Sequence, residues 1–221
     1  MEESPKTFTL TSETMLEYET TDRLHRAAFE TTFPRVLGDW DVIRPWGSPT
    51  AVAATAPVQR SEEVRTAVRG LLREGGHKPS GRGKPSSEYL VQAVEQSSLP
   101  VINLAVDACN VVSLQSGIPI SVVDLNRTQG SLQVRLGDAG SSYVFNASGQ
   151  EIRLDGLLCL WDAGGPCANA VRDSHRTKTT DQTTRTLSVL WGPASHAEHV
   201  EQTLDWYMGL LASAGASVAR L

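Results

Sequence analysis

Asn103-Leu104-Ala105-Val106-Asp107-Ala108-Cys109-Asn110-Val111-Val112-Ser113-Leu114-Gln115-Ser116-Gly117-Ile118-Pro119-Ile120 contains a helix, its stop signal and the start of a strand. Pro100 stands where a helix can begin, Gly117 where one ends, and Pro119 where one cannot continue. This spacing predicts a helix of about four turns over Val101 to Ser116. Most of its residues are apolar, which places it inside the protein. Asn103, Asp107 and Asn110 break the pattern, and their separations of four and three residues put them on one stripe. Buried polar groups need partners. The stripe either ties the helix to neighbouring loops or faces a ligand, and the residues alone leave both uses open.

Upstream, Ser61 is placed to cap a helix whose first turn holds Glu62 and Glu63. Val64, Val68, Leu71 and Leu72 share one face, Arg65, Arg69 and Arg73 the other, and Gly75-Gly76 ends it. The following loop to Lys84 carries Lys78, Arg82 and Lys84 and no acid, so this is the basic stretch of a 221-residue chain with net charge -5. That acidic balance argues against a protein gripping nucleic-acid backbone over its whole surface, and leaves room for a local basic patch. A second helix is expected from Pro85-Ser86-Ser87-Glu88, capped by serine, with Leu90, Ala93 and Val94 inward, fading near Ser97-Ser98. Residues 1–60 are read as a segment packing on a main unit over 61–221. Short apolar runs lie at Phe8 to Leu10 and Met15 to Tyr18, a helix is expected from Asp22 to its stop at Pro34, and Trp40 and Trp46 serve as core or lid.

Downstream, the pattern changes to two-residue alternation at Ile118 to Leu125, Ser131 to Leu136, Ser142 to Phe145, Glu151 to Leu154, Leu157 to Trp161 and Thr186 to Trp191. Short turns imply mainly antiparallel pairing, and the clustered helices imply packing on one face: an α+β fold. A last helix, 195–213, starts at the capping box Ser195-His196-Ala197-Glu198. It places Val200, Leu204, Tyr207, Leu211 and Val218 on its buried side, with Gly215 as a break.

Familiar catalytic motifs are missing, including GxSxG, the Walker loop, HExxH and the Rossmann glycines. Cys109, Cys159 and Cys167 cannot all pair and have no CxxC spacing. Met1 to Leu10 lacks a signal-peptide core, and no stretch approaches a membrane span; we read a reducing, cytoplasmic location without membrane contact. Cys109 and Cys159 read as small core residues, Cys167 as the exposed thiol. His196 and His199 lack a third ligand, so no metal or other cofactor is expected. The densest polar segment, Asn169 to Arg185, lies between two strong strands and is long for a hairpin loop. Within it His175 and Asp173 form a weak candidate acid–base pair.

Three stretches together resemble the B3/B4 domain, the tRNA-editing domain of the bacterial phenylalanyl-tRNA synthetase β subunit, in its freestanding form. They are Lys84 to Leu90, with the Pro-Ser-Ser-Glu helix start; Asn103 to Leu114 with Gly117-Ile118-Pro119-Ile120 and Asp124; and Arg172 to Thr183 with Leu187 to Leu190. The helix, N-x-x-V-D-x-x-N followed by G-x-P, is the most specific match, and the likeness covers residues 80–193.

The resemblance implies a B3/B4-like fold, a mainly antiparallel sheet with helices around a central pocket. That pocket would accept the aminoacyl end of a mischarged tRNA and hydrolyse its ester, with tRNA rather than DNA as partner. Asn110 falls on the family's active-site asparagine, which moves Asn103 and Asp107 towards the pocket framework. Ser121 takes the place of a pocket histidine, Val189 that of a glutamate recognising a tyrosine hydroxyl, and Asn169 to Ser174 that of an Ala-Gly-x-x-Gly-Gly wall. These departures count against tyrosine as substrate. The expected roles are Asn110 and Ser121 in positioning water or substrate, and Asp173 and His175 in amino-group recognition or proton transfer. Arg172 would meet the substrate, Thr177 and Thr180 would form the wall, and Arg65, Arg69, Arg73, Lys78, Arg82 and Lys84 would meet phosphates. An aminoacyl-tRNA deacylase acting in trans, without a protein nucleophile, is the first reading. A noncatalytic pocket binding tRNA, a free amino acid or a small metabolite is the second, and a Cys167-based enzyme the third.

Overall fold

The computed structural model describes residues 14–19, 22–40, 56–96, 99 and 101–221. Phe8 to Leu10, Trp46, Ser97-Ser98 and Pro100 lie outside the described residues. In chain order the elements are β1 (Leu16–Tyr18), β2 (Leu24–His25), β3 (Ala28–Thr32), α1 (Glu62–Leu72), α2 (Ser86–Glu95), α3 (Leu104–Ser116), β4 (Ile120–Asp124), β5 (Leu132–Leu136), β6 (Ser142–Val144), β7 (Glu151–Arg153), β8 (Leu158–Asp162), β9 (Gly165–Asn169), β10 (Arg185–Leu190), β11 (Gly192–Pro193), α4 (Ala197–Ser213) and β12 (Ser217–Arg220). The fold is α+β, with mostly antiparallel pairing, as expected. One four-stranded sheet runs β12-β3-β10-β4 and a second runs β1-β5-β8-β9, where the β1–β5 pair is parallel. Helix α3 packs against α2, α4 and β4, and β4 also meets β9, so the two sheets and the buried helix converge on one region.

Local signals account for the start of α1 and for both ends of α3. Ser61 Oγ accepts the Val64 N–H at 3.2 Å at the start of α1. Asn103 Oδ1 does the same for Val106 N–H at 3.0 Å, so α3 starts at Leu104 and not at Val101, because a side chain that satisfies an orphan donor outranks an upstream proline as a start. Gly117 ends α3 in the left-handed region, φ 77°. Two expected caps do not form. Helix α2 is preceded by Pro85 with no side-chain cap, and α4 follows a 3-10 turn over Ala194–His196 in which Ser195 Oγ sits 3.0 Å from His196 Nδ1.

The helix expected from Asp22 to Pro34 is instead β2 and β3. Strand β3 is hydrogen-bonded by β10 on one side and β12 on the other, and four of its five residues are buried. A strand covered on both faces loses its alternation, and tertiary pairing overrides the local pattern. Val218 belongs to β12, opposite Thr31, not to the last helix. Strand β9 lies at the edge of its sheet beside β8, where a strand tolerates Pro166. Cys167 on β9 is fully buried and its thiol is pushed up to about 12 by that burial, which corrects the exposed-thiol reading and removes the Cys167-based enzyme. Among the described residues no helix is long and apolar enough to cross a membrane.

Candidate functional site

A cavity of about 380 Å³ lies between α2, α3, β4 and the segment that follows β9. Val106, Cys109, Asn110 and Ser113 of α3, Ile120 and Val122 of β4, and Leu90, Val171 and Phe145 supply much of its lining. The polar stripe divides here. Asn103 caps α3 and its Nδ2 donates to Thr179 Oγ1 at 3.0 Å, while buried Asp107 accepts the Ile102 N–H at 3.0 Å. Both tie the helix to its surroundings. Asn110, half-buried, lines the cavity, and its amide has no hydrogen-bond partner among the described residues.

Among the described residues, Asp173 is the only carboxylate lining the cavity. Ser121 Oγ lies 2.6 Å from Asp173 Oδ1 and 3.2 Å from Asn169 O, and receives the Trp191 indole N–H at 2.8 Å. A hydroxyl has one hydrogen and an indole N–H only donates, so Trp191 takes a Ser121 lone pair and the hydroxyl hydrogen goes to the shorter, charged acceptor. Val122 N–H donates to Asp173 Oδ2 at 3.2 Å. Burial pushes Asp173 up to about 6, against the pull of Ser121, the Val122 amide and the Lys178 ammonium. Removing the hydroxyl in Ser121→Ala is expected to move the Asp173 midpoint higher still, read as a carboxyl-carbon NMR titration. An unmoved midpoint would show that Ser121 does not stabilise the charge.

The turn that aims residues 172 and 173 is built by Asn169. Its Oδ1 accepts Val171 and Arg172 N–H at 2.8 and 3.0 Å, its Nδ2 donates to Tyr143 Oη at 2.7 Å, and Tyr143 donates to Arg172 O at 2.5 Å. Arg172 lines the cavity with its guanidinium over two rings, and Lys178 and Thr179 line it too. Ser86 Oγ at the start of α2 is a buried lining atom with no partner among the described residues.

Several expected site residues stand elsewhere. His175 is exposed in a 3-10 turn and does not line the cavity, so the structure does not bring it to Asp173. Thr177 is buried and donates to Cys167 O at 3.2 Å, and exposed Thr180 accepts the Gln182 N–H at 3.3 Å. Val189 is a core residue of β10, paired with Ser121 but away from the lining. Ser121 is itself buried behind Asp173. The polar segment is largely scaffold: Arg176 forms two bonds to Asp162, at 2.7 and 2.9 Å, and Thr183 donates to Asp124 at 2.6 Å. Trp191, Tyr143, Tyr89, Phe145 and Lys178 were not singled out from the sequence because each reads locally as a core or surface residue, while Asn169, expected at the start of the wall, sets its turn instead.

Outside the cavity, Arg69 binds Glu88 through two bonds at 2.6 and 2.7 Å, and Arg65 pairs with Glu62 and Glu88. Their charge is largely neutralised. Arg73 and Lys78 line a separate groove, and with Arg82 they have no ion pair among the described residues. Lys84 Nζ donates to Gln92 Oε1 at 3.1 Å. Among the described residues no cluster of three or more His, Cys, Asp or Glu could hold a metal ion.

The comparisons with known proteins agree with this architecture. Over 121 residues, 55% of the chain, it is 34% identical to the phenylalanine--tRNA ligase beta subunit of Pseudomonas putida, and over 103 residues 26% identical to that of Cutibacterium acnes. The matches span 13% and 12% of those relatives' own lengths. An N-terminal fragment of the phenylalanyl-tRNA synthetase beta-subunit from Pyrococcus horikoshii superposes on 97% of this chain and 53% of the fragment, with TM-score 0.53 and 10% identity, a likeness of fold alone. The B3/4 domain model matches residues 79–196, more than half of the chain, which covers the cavity helices α2 and α3, strand β4 and the 169–185 segment. The chain belongs to the B3/4 domain family.

Proposed function

We propose that this protein works on tRNA as a trans-editing deacylase in the cytoplasm, hydrolysing the ester of a wrongly attached amino acid. The observation that carries the reading is that a fixed carboxylate, Asp173, and an unpartnered amide, Asn110, line the same cavity. An aminoacyl ester has a cationic α-amino group beside the scissile carbonyl. Asp173 binds the first, and the Asn110 amide donates to the oxygen that gains negative charge or holds the attacking water. A vicinal ribose hydroxyl of the tRNA assists. No protein nucleophile enters this scheme: Ser121 is committed to Asp173 and Trp191, and burial pushes the Cys109 thiol up and keeps it protonated. Of the cations expected on α1 and its loop to meet phosphates, Arg73, Lys78, Arg82 and Lys84 are free of ion pairs among the described residues, and would do so through few and salt-sensitive contacts.

The relation to synthetase beta subunits supports the tRNA part of this reading, and the cavity chemistry supports hydrolysis. The exposure of His175 favours a second reading, a noncatalytic pocket, because among the described residues it leaves Asp173 as the only proton acceptor of this kind at the cavity. The test incubates the protein with correctly and incorrectly charged tRNAs, with Asn110→Ala and Asp173→Ala alongside. Selective hydrolysis lost in both variants is the expected result. No hydrolysis across the panel, with a free amino acid raising the melting temperature, selects the binding module.

A further inference from the structure

The outer part of the cavity carries positive charge that the protein leaves unmatched. The Arg172 guanidinium lies 4.6 Å from the centroid of the Tyr89 ring and 4.8 Å from that of Phe145, so groups on α2 and just after β6 together hold it in place. Ring contacts engage the face of a guanidinium and leave its N–H edge free. Among the described residues nothing accepts a hydrogen bond from that edge. Lys84 Nζ sits 5.0 Å from the same Tyr89 ring and gives one bond to Gln92, which leaves two donors. Lys178 is an exposed residue whose ammonium is nonetheless partly desolvated at the lining; that desolvation disfavours its charged form, Asp173 opposes it, and Arg172 adds a smaller repulsion. Two lining cations, a third beside them and one lining carboxylate form a local excess of positive charge in a chain of net charge -5. A rigid fork of unused donors next to like charges is preorganised for an oxyanion.

We propose that Arg172, assisted by Lys178 and Lys84, is a phosphodiester subsite that holds the phosphate of the 3′-terminal nucleotide of RNA. This rests on the deacylase reading for its orientation. With the aminoacyl group inside the cavity beside Asp173 and Asn110, the ribose that carries it stands at the opening, and its 5′-phosphate reaches the cationic rim. The Tyr89 and Phe145 rings fix the guanidinium before the ligand arrives, which reduces the ordering cost of binding. Arg172 thereby recognises the nucleotide and not the amino acid.

The test titrates the full chain with adenosine 5′-monophosphate and with adenosine by calorimetry. The nucleotide is expected to bind about tenfold tighter, as one charge-assisted phosphate contact gives. Its affinity is expected to fall as salt rises, because the phosphate contact is screened, while that of adenosine stays level. Arg172→Gln is expected to bring the nucleotide down to the level of adenosine. Because Arg172 packs on two rings, the exposed Lys178→Gln serves as the second variant and is expected to reduce the preference severalfold. Equal binding of both probes by the unaltered protein overturns the proposal, as does a preference that survives both substitutions. A free amino acid that binds when its amide does not, without any preference for the nucleotide, assigns the cations to a carboxylate and overturns it as well. The nucleotide preference in a protein that hydrolyses no aminoacyl ester keeps the subsite and removes the deacylase reading; hydrolysis without the preference does the reverse.

Discussion

Asp173→Asn is expected to lower kcat/KM for aminoacyl ester hydrolysis by about a hundredfold or more, the range seen when a positioned charge is removed from a reacting centre. The substitution keeps the shape and removes the charge that holds the α-ammonium. For the unaltered protein the rate should rise with pH through about 6, where Asp173 ionises, and level off above it. In the variant that limb disappears. The groups facing Asp173 are Lys178, the Cys109 thiol, the Tyr143 and Tyr207 phenols, and the neighbouring Arg172. Both phenols and the thiol are pushed up by burial, and none of them accounts for a limb near 6. Stability follows with a definite sign. A carboxyl whose folded value is raised stabilises the fold at pH below its unfolded value of 3.8, and that contribution is lost as pH rises through about 6. Activity and Asp173-dependent stability therefore move in opposite directions across this window. A pH–rate limb near 6 that persists in Asp173→Asn would assign the titration to another group.

Among the described glycines, Gly156→Ala is expected to be the most destabilising alanine substitution, by about 3 kcal/mol, combining left-handed strain with overpacking. Gly156 has φ +68°, and a Cβ there would stand 1.9 Å from the Gly75 carbonyl oxygen, while a Cβ on Gly75 would stand 2.3 Å from Gly156 O. Both obstacles are backbone, so neither can swing aside. The contact joins the loop after α1 to the turn before β8, and so fixes the helix against the second sheet. In a chain of this size the thermal midpoint should fall by about 10 °C. Gly149→Ala is the control: φ is +77° and nothing lies within 4 Å, so it bears the conformational cost alone. Equal midpoint shifts in the two variants would remove the contact as the cause.

The candidate site was partly legible. Asn110 was read on the polar stripe and lines the cavity, and Arg172 and Asp173 were read in the polar segment and line it as well. His175, Thr177 and Thr180, from the same segment, do not. Residue type and spacing are the same kind of signal in all six. What separates them is the turn built by Asn169 and Tyr143, whose hydroxyl comes from β6, outside that segment.

The amino-acid order alone determined the elements whose causes are local. Ser61 starts its helix and Gly117 stops its own through their side-chain and backbone chemistry, and β5, β6 and β7 alternate between more and less covered residues, a period visible residue by residue, whereas β4, β8 and β10 are buried almost throughout and were found from their short apolar runs. Tertiary structure alone decided the inner strand β3, which takes its partners from β10 and β12. It also decided the Gly75–Gly156 contact and the chain from Trp191 through Ser121 to Asp173, whose links span 70 and 52 residues. Periodicity and capping act within one or two turns of chain. Burial, the direction of a shared hydrogen and the charge state of a carboxyl depend on which distant groups the folded chain brings within about 3 Å.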